Sequence, residues 1–332
     1  MGAGGFGTAL AVMAHRMGHS ATMWSPFPEE TEMLDNKREH AKLLPGVIIP
    51  KEIEITCSLG CLAAQEMVIL AVPSFAVRSV AKLLETEGIP ASAPVACVAK
   101  GLEAVTHKPL SEILAEELGQ NPFVILSGPS HAEEVARNVP TSIVAASNSK
   151  DAAEFVQDTL MNETLRIYVS GDVLGVEYGG ALKNVIALAA GILDGFGGGD
   201  NTKAALMTRG MAEISRLGVA LGAKAETFAG LSGMGDLIVT CNSMHSRNRR
   251  CGILIGNGVP PGDAVKEIGM TVEGYHCAKA AYELSQKHGI DMPIVRETYN
   301  VLYEGLSVKE AISRLMERPK RHESEDLRFL KR

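Results

Sequence analysis

One charged residue sits where its surroundings should not tolerate it. In "GGALKNVIALAAGIL", Lys183 and its neighbour Asn184 interrupt a segment that is otherwise apolar or small on nearly every face. A helix of that kind belongs in a core. A buried ammonium is costly unless it is paired or used. Burial also draws a lysine pKa down toward neutrality, which suits a proton donor or acceptor. The plainer alternative is a lysine whose stem lies on apolar surface while its head reaches water.

Three further segments carry polar residues in suggestive places. "VAKGLE" puts Lys100 and Gly101 directly after an apolar run, at what should be the carboxyl end of a buried strand. Ligands bind along that edge in open α/β sheets. In "LSGPSHAEEV", Gly128 and Pro129 turn the chain and Ser130 is expected to begin a helix. Ser130 and Glu133 fit the S-x-x-E capping box, and the same geometry would aim helix N–H groups into the cleft. "GLSGMGDLIVTCNSMHSRNRR" joins a glycine-rich loop carrying Asp236 to the polar, basic run Ser246, Arg247, Asn248, Arg249 and Arg250. A guanidinium with hydroxyl and amide donors suits a phosphate monoester. Alone the run would pass for a solvated turn, but in a chain of net charge −7 a local basic cluster carries more weight.

The chain opens "MGAGGFGTAL", in which Gly2, Gly4 and Gly7 spell G-x-G-x-x-G. The first glycine makes a tight turn, the second lets backbone approach a pyrophosphate, and the third lets helix pack on strand. The helix N-terminus then offers unpaired N–H groups and a positive dipole end to phosphates. The motif alone is weak, but a helix follows it, with Leu10, Met13, Ala14 and Met17 on one stripe and Gly18 at the expected C-terminal cap. "ATMW" then lies at the distance of a second strand. After it, "SPFP" supplies Ser25 and no carboxylate before Glu29, so the cofactor is NADP or NAD with a lean to NADP. No basic residue lies close enough in sequence to argue directly for a 2′-phosphate.

Those residues need elements to hold them. Apolar runs recur at 21–24, 53–57, 67–72, 94–99, 123–127 and 142–147, mostly separated by helical patterns. Runs apolar nearly throughout are strands covered on both faces. The expected fold class is therefore an α/β Rossmann-type, doubly wound, mostly parallel sheet, with its first strand apparently missing. From about residue 171 the pattern is all-α, with helices over 171–195, around 207–221, and near 261–268, 273–288 and 307–316. The expected domains are 1–170 for the dinucleotide and 171–332, helical, for substrate and catalysis. The tail "RPKRHESEDLRFLKR" is charged and expected to be solvated or frayed.

Composition excludes several classes. The 332 residues are 46% hydrophobic and 21% charged, enough for a large core. The acidic balance argues against nucleic acid or anionic membrane as partner. "VIALAAGIL" falls short of the ~20 residues of a membrane span, and the N-terminus lacks the basic start and apolar core of a signal peptide. Six cysteines without C-x-x-C spacing read as buried or free thiols in a reducing compartment, so the expected location is cytoplasmic. With no H-E-x-x-H, no metal site is expected. Together these features describe hydride transfer to the carbonyl of a small phosphorylated substrate.

The segments "GAGGFGTALA", "AVPS", "KGLE", "LSGPSHAEEV", "EYGGALKNVIALAAGILDG", "GDNTKAALMTRGMAEI", "GLSGMGDLIVTC", "HSRNRR" and "VEGY" occur in one order from Gly2 to about residue 320. With them the chain resembles the bacterial NAD(P)-dependent glycerol-3-phosphate dehydrogenases. The resemblance implies interconversion of dihydroxyacetone phosphate and sn-glycerol 3-phosphate, feeding phospholipid synthesis. It implies Lys183 as the catalytic proton donor or acceptor, with Lys100 touching both substrate and cofactor. Gly128, Ser130, Asp236, Ser246, Arg247 and Asn248 would line the substrate site, with Arg247 on the phosphate. Gly5, Phe6, Ala132, Arg247 and Glu273 would contact the cofactor beside Gly2, Gly4 and Gly7. A homodimer follows by analogy.

The opening departs from that family, whose members carry a short apolar strand before the first glycine. Each orphaned buried backbone group would cost ~1–3 kcal/mol. The expectation is a misplaced start, with Met1 standing for an internal residue of that strand. A truncated chain with damaged cofactor binding is the alternative. The rival readings are a related hydroxyacid or ketopantoate-type reductase, which should not need Arg247, and a non-catalytic nucleotide-binding module.

Overall fold

A computed structural model describes residues 1–320 and 323; the rest of the charged tail lies outside the described residues. The first half alternates helix and strand: α1 (Gly5–Arg16), β1 (Thr22–Trp24), α2 (Pro28–Lys37), β2 (Glu54–Thr56), β3 (Val68–Leu70), α3 (Val77–Glu87), β4 (Val95–Cys97), α4 (Leu110–Glu117), β5 (Phe123–Ser127), α5 (Ala132–Ala136), β6 (Thr141–Ala146), α6 (Lys150–Leu160) and β7 (Leu165–Ser170). The second half is helical among the described residues: α7 (Val173–Phe196), α8 (Asp200–Ala220), α9 (Asp236–Asn242), α10 (Arg247–Gly256), α11 (Pro261–Ile268), α12 (Glu273–His288), α13 (Pro293–Tyr303) and α14 (Val308–Met316).

All six apolar runs of the sequence overlap strands, but β2 is not covered on both faces: it lies in a two-stranded sheet, with Glu54 exposed and Ile55 and Thr56 half-buried. β3, β4 and β5 pair in parallel, with Val68 opposite Val95 and Val95 opposite Phe123. β5 and β6 are antiparallel, and β6 and β7 parallel. β7 was not among the runs because it is a half-exposed edge: Leu165 and Ile167 are buried while Arg166 and Tyr168 face out. Its signal is alternation rather than a continuous apolar stretch.

β1 and β2 form a separate parallel pair. Between that pair and β3 lie Met1 and Gly2. The Met1 ammonium donates to the Ile69 carbonyl at 2.8 Å, the Ala71 N–H donates to the Met1 carbonyl at 2.8 Å, and the Gly2 N–H donates to the Trp24 carbonyl at 2.8 Å. Two residues thus bond to both sheets in the place where the Rossmann-type order puts the strand before the glycine turn.

The second half packs around α7, in which every residue from Gly175 to Leu193 is buried. This 24-residue helix is long and apolar enough to cross a membrane by length and composition, beyond the short run seen in the sequence, yet its apolar window lies wholly inside the protein. Its glycines explain the density. A Cβ at Gly191 or Gly195 would strike the carbonyl of Arg249 or Ile253 in α10. A Cβ at Gly252 or Gly256 would in turn strike the carbonyl of Leu188 or Ile192 in α7. The two helices therefore touch backbone to backbone through G-x-x-x-G faces, the close approach that small residues permit.

Candidate active site

The glycine turn is built as its three glycines require. Gly2 has φ +98°, a conformation that side chains disfavour. A Cβ at Gly7 would collide with the Gly2 carbonyl, so α1 packs tightly on the turn. A Cβ at Gly4, the N-cap of α1, would meet nothing within 4 Å. Packing thus requires Gly7 to lack a side chain, while the space at Gly4 is open, at a helix end whose first N–H groups have no intrahelical partner. The residues present fit a dinucleotide pyrophosphate on this observation. Gly5 approaches the Leu43 carbonyl, Phe6 lines a small cavity with Ser127 and Ser130, and Ala132 packs beside Ala3 and Ala9 of the turn and α1.

Across the strand ends lies a buried charge cluster. Lys183 is 4% exposed and Asp236 2% exposed. The Lys183 ammonium donates to Asp236 Oδ1 at 2.5 Å and to Thr240 Oγ1 at 2.6 Å. Lys100, from the loop after β4, donates to Asp236 Oδ2 at 2.8 Å and to the Gly128 carbonyl at 2.7 Å, with Ser130 Oγ at 3.4 Å. One carboxylate therefore holds two ammonium groups, one from each half of the chain. Burial pulls the Lys183 ammonium down to about 8, with Asp236 opposing and Lys100 reinforcing the fall. Burial pushes the Asp236 carboxyl upward, but Lys100 and Lys183 outweigh it and hold it below its ordinary value.

The sequence segments converge on this cluster with two differences. The S-x-x-E box does not form: α5 begins at Ala132 with His131 as N-cap, and no side chain caps it. The turn through Gly128, at φ +135°, delays the helix, and Ser130 Oγ instead donates to the Gly128 carbonyl at 3.0 Å. The basic run is not a turn either. Ser246 caps α10, accepting the Arg249 N–H at 3.2 Å, and Arg249 is bound to Asp194 at 2.8 Å. Asn248 donates to Asn184 Oδ1 at 2.9 Å and accepts the Gly274 N–H at 2.8 Å. Asn184 in turn donates to the Lys100 carbonyl at 3.2 Å.

Arg247 stands apart. It is half-buried, and among the described residues its guanidinium has no hydrogen bond or ion pair. Burial lowers its pKa, Glu273 opposes, and it remains charged. Glu273, at the start of α12, reaches the first half of the chain: its carboxylate accepts the Ser74 N–H at 3.2 Å and the Ser74 hydroxyl at 2.7 Å.

Sequence reasoning missed two neighbours. Thr240 lies one helical turn from Asp236, an i, i+4 spacing that was legible. His131 has a buried Nε2 without a partner; burial, with Lys183 and Lys100 adding, pushes its pKa to about 4, so it is neutral at pH 7. Its sequence neighbours gave no sign of this.

A Rossmann-type domain facing an all-helical domain across paired lysines defines a two-domain dinucleotide-dependent oxidoreductase. Comparison with known proteins narrows the class. Family profiles described as NAD-dependent glycerol-3-phosphate dehydrogenase N-terminus and C-terminus match residues 1–153 and 172–313. The chain belongs to the NAD-dependent glycerol-3-phosphate dehydrogenase family. A glycerol-3-phosphate dehydrogenase (NAD(P)+) of Moorella thermoacetica is 52% identical over 326 residues, covering 98% of this chain and 97% of that protein. One from Thermoanaerobacter sp. is 53% identical over 324 residues, covering 97% of each. The crystal structure of the glycerol-3-phosphate dehydrogenase of Coxiella burnetii, 37% identical, superposes with a TM-score of 0.91 over 96% of this chain and 97% of that one. A ketopantoate reductase of Ralstonia eutropha, 15% identical with a TM-score of 0.60, shares the fold alone.

Proposed function

We propose that the protein interconverts dihydroxyacetone phosphate and sn-glycerol 3-phosphate with NAD or NADP, supplying glycerol phosphate for phospholipid synthesis. The observation that carries this reading is the Lys183–Asp236–Lys100 cluster, together with the Arg247 guanidinium, which has no hydrogen bond or ion pair among the described residues. A phosphate monoester is the chemistry that guanidinium suits.

A nicotinamide dinucleotide held by the glycine turn would supply the hydride in reduction and accept it in oxidation. Lys183 gives its proton to the carbonyl oxygen as the carbon is reduced, and its neutral amine takes that proton back in oxidation. Asp236 fixes the Lys183 ammonium through Oδ1 and keeps it charged despite burial. Lys100 adds preorganised positive charge for the oxygen developing in the reduction. Arg247 holds the substrate phosphate and lies near the cofactor with Glu273. Gly128, Ser130, Ser246 and Asn248 complete the substrate wall, and Gly2, Gly4, Gly5, Phe6, Gly7 and Ala132 the cofactor wall. On this reading residues 1–170 and 171–332 are the cofactor and substrate domains. The enzyme works in the cytoplasm as a homodimer, and light scattering at twice the 35.2 kDa chain mass tests that state.

The decisive assay is oxidation of NADH and NADPH dependent on dihydroxyacetone phosphate. Turnover with this substrate and none with ketopantoate supports the assignment, and the reverse pattern sinks it.

A further inference from the structure

Ser25 is the first residue after β1, at the strand end tied to the glycine turn through Gly2 and Trp24. Dinucleotide folds of this kind place the adenosine ribose there, and a carboxylate at that point accepts the 2′-hydroxyl. Ser25, Pro26 and Phe27 bring none. The structure supplies one from the next helix. Glu30, in the first turn of α2, folds back so that Oε2 accepts the Ser25 hydroxyl. Ser25 Oγ meanwhile accepts the Phe27 N–H at 3.3 Å, which fixes it in place.

None of the cations nearby, Lys42 next to His40 included, makes a hydrogen bond to this carboxylate among the described residues. His40 Nε2 lies 3.8 Å from Glu30 Oε1 and is buried without a hydrogen bond. Burial lowers the His40 pKa, with Glu30 opposing, and the ring is neutral at pH 7. Arg38 is engaged with Asp35 and with the carbonyls of Pro50 at 3.2 Å and Ile53 at 2.8 Å. Among the described residues no lysine or arginine bonds to Ser25 or Glu30.

We infer that the Glu30 carboxylate, held by Ser25, makes this site select NAD over NADP, because it accepts a ribose 2′-hydroxyl and repels a 2′-phosphate. The inference rests on the proposed dinucleotide function and runs against the lean to NADP taken from the strand end alone. That lean looked for the carboxylate before Glu29, whereas α2 returns it from Glu30.

Titration calorimetry of the purified chain with NAD+ and with NADP+ tests this without turnover. The single tryptophan, Trp24, gives a second signal next to Ser25. NAD+ should bind at least about tenfold more tightly, as expected for a like charge held close to a 2′-phosphate. Glu30→Gln should narrow that ratio by weakening NAD+ and relieving NADP+. If Glu30→Gln does not fold, Ser25→Arg, which sets a cation beside the same carboxylate, should move the ratio toward NADP+. Equal or tighter NADP+ binding by the natural sequence overturns the inference. So does a ratio that neither variant moves. Preferential NAD+ binding without reduction of dihydroxyacetone phosphate would remove the proposed reaction and leave the role of Glu30 standing. No binding of either dinucleotide would overturn both.

Discussion

The glycine turn at residues 2–7, which suits an anion, and the lysine cluster around Asp236 are built by opposite means. The turn uses backbone: glycines clear the space, and a helix end presents N–H groups that need no side chain. The cluster uses side chains forced into a core, where Lys183 and Asp236 tolerate burial because one carboxylate pairs with Lys183 and with the partly buried Lys100. A backbone site is written in consecutive residues. A side-chain site is written in segments 136 residues apart, as Lys100 and Asp236 are.

Substitutions should separate the two. The largest effect belongs to Lys183→Ala. Loss of the proton donor should lower kcat on the order of 10²- to 10⁴-fold while dinucleotide affinity, measured by calorimetry, stays near that of the parent. A kcat close to the parent value would remove Lys183 from the chemistry. Next comes Arg247→Ala, which should raise the KM for dihydroxyacetone phosphate roughly 10- to 100-fold, the worth of a charge-assisted phosphate contact. An unchanged KM would assign the phosphate to another group.

A pair of variants sharpens the contrast within the turn. Gly7→Ala should destabilise the fold by about 1–3 kcal/mol, since its Cβ has no room, and thermal melting would show it. Gly4→Ala should melt like the parent and lose dinucleotide affinity, because its Cβ enters open space that the proposed pyrophosphate would occupy. If both variants behave alike, the division of labour between the glycines is wrong.

The smallest effects are those of pH. With the Lys183 ammonium at about 8, reduction should decline above about pH 8 as the amine loses its proton, while oxidation should climb through the same range. A pH–rate profile lacking that crossing would deny Lys183 the proton. Glu177 reports on stability instead. Burial pushes its carboxyl from 4.5 up to about 7, against donation from the Ser111 N–H at 2.8 Å and the Ser111 hydroxyl. Between about pH 4.5 and 7 the native state keeps a proton that the unfolded chain releases, so stability should fall as pH rises across that window. Glu177→Gln should lessen that fall, with Glu213, whose carboxyl burial likewise pushes up to about 7, supplying the remainder.

These contrasts also mark how far the sequence could be read. Six of the strands and the long helices were legible because each is marked by a nearly unbroken apolar run or period, although β2 proves only partly covered. β7 was not, since its outward face is polar. Lys183 announced itself by violating its surroundings, and Arg247 by concentrating charge in an acidic chain. Ser130 misled because a capping signature is local, whereas the Gly128 turn and the partnership with Lys100 are tertiary. Glu30 stayed hidden for the same reason: its carboxylate matters through a fold-back onto Ser25 that no spacing rule describes.

The backbone contact between α7 and α10 has a mechanical consequence. Side chains between two helices form a compliant layer that can yield by changing rotamer. Here Gly191, Gly195, Gly252 and Gly256 remove that layer, and peptide groups bear directly on one another. Arg247 at the head of α10 and Lys183 on α7 are thereby mounted on a single stiff strut. On the proposed function, the backbones that carry the phosphate-binding guanidinium and the proton-donating ammonium would keep a fixed spacing.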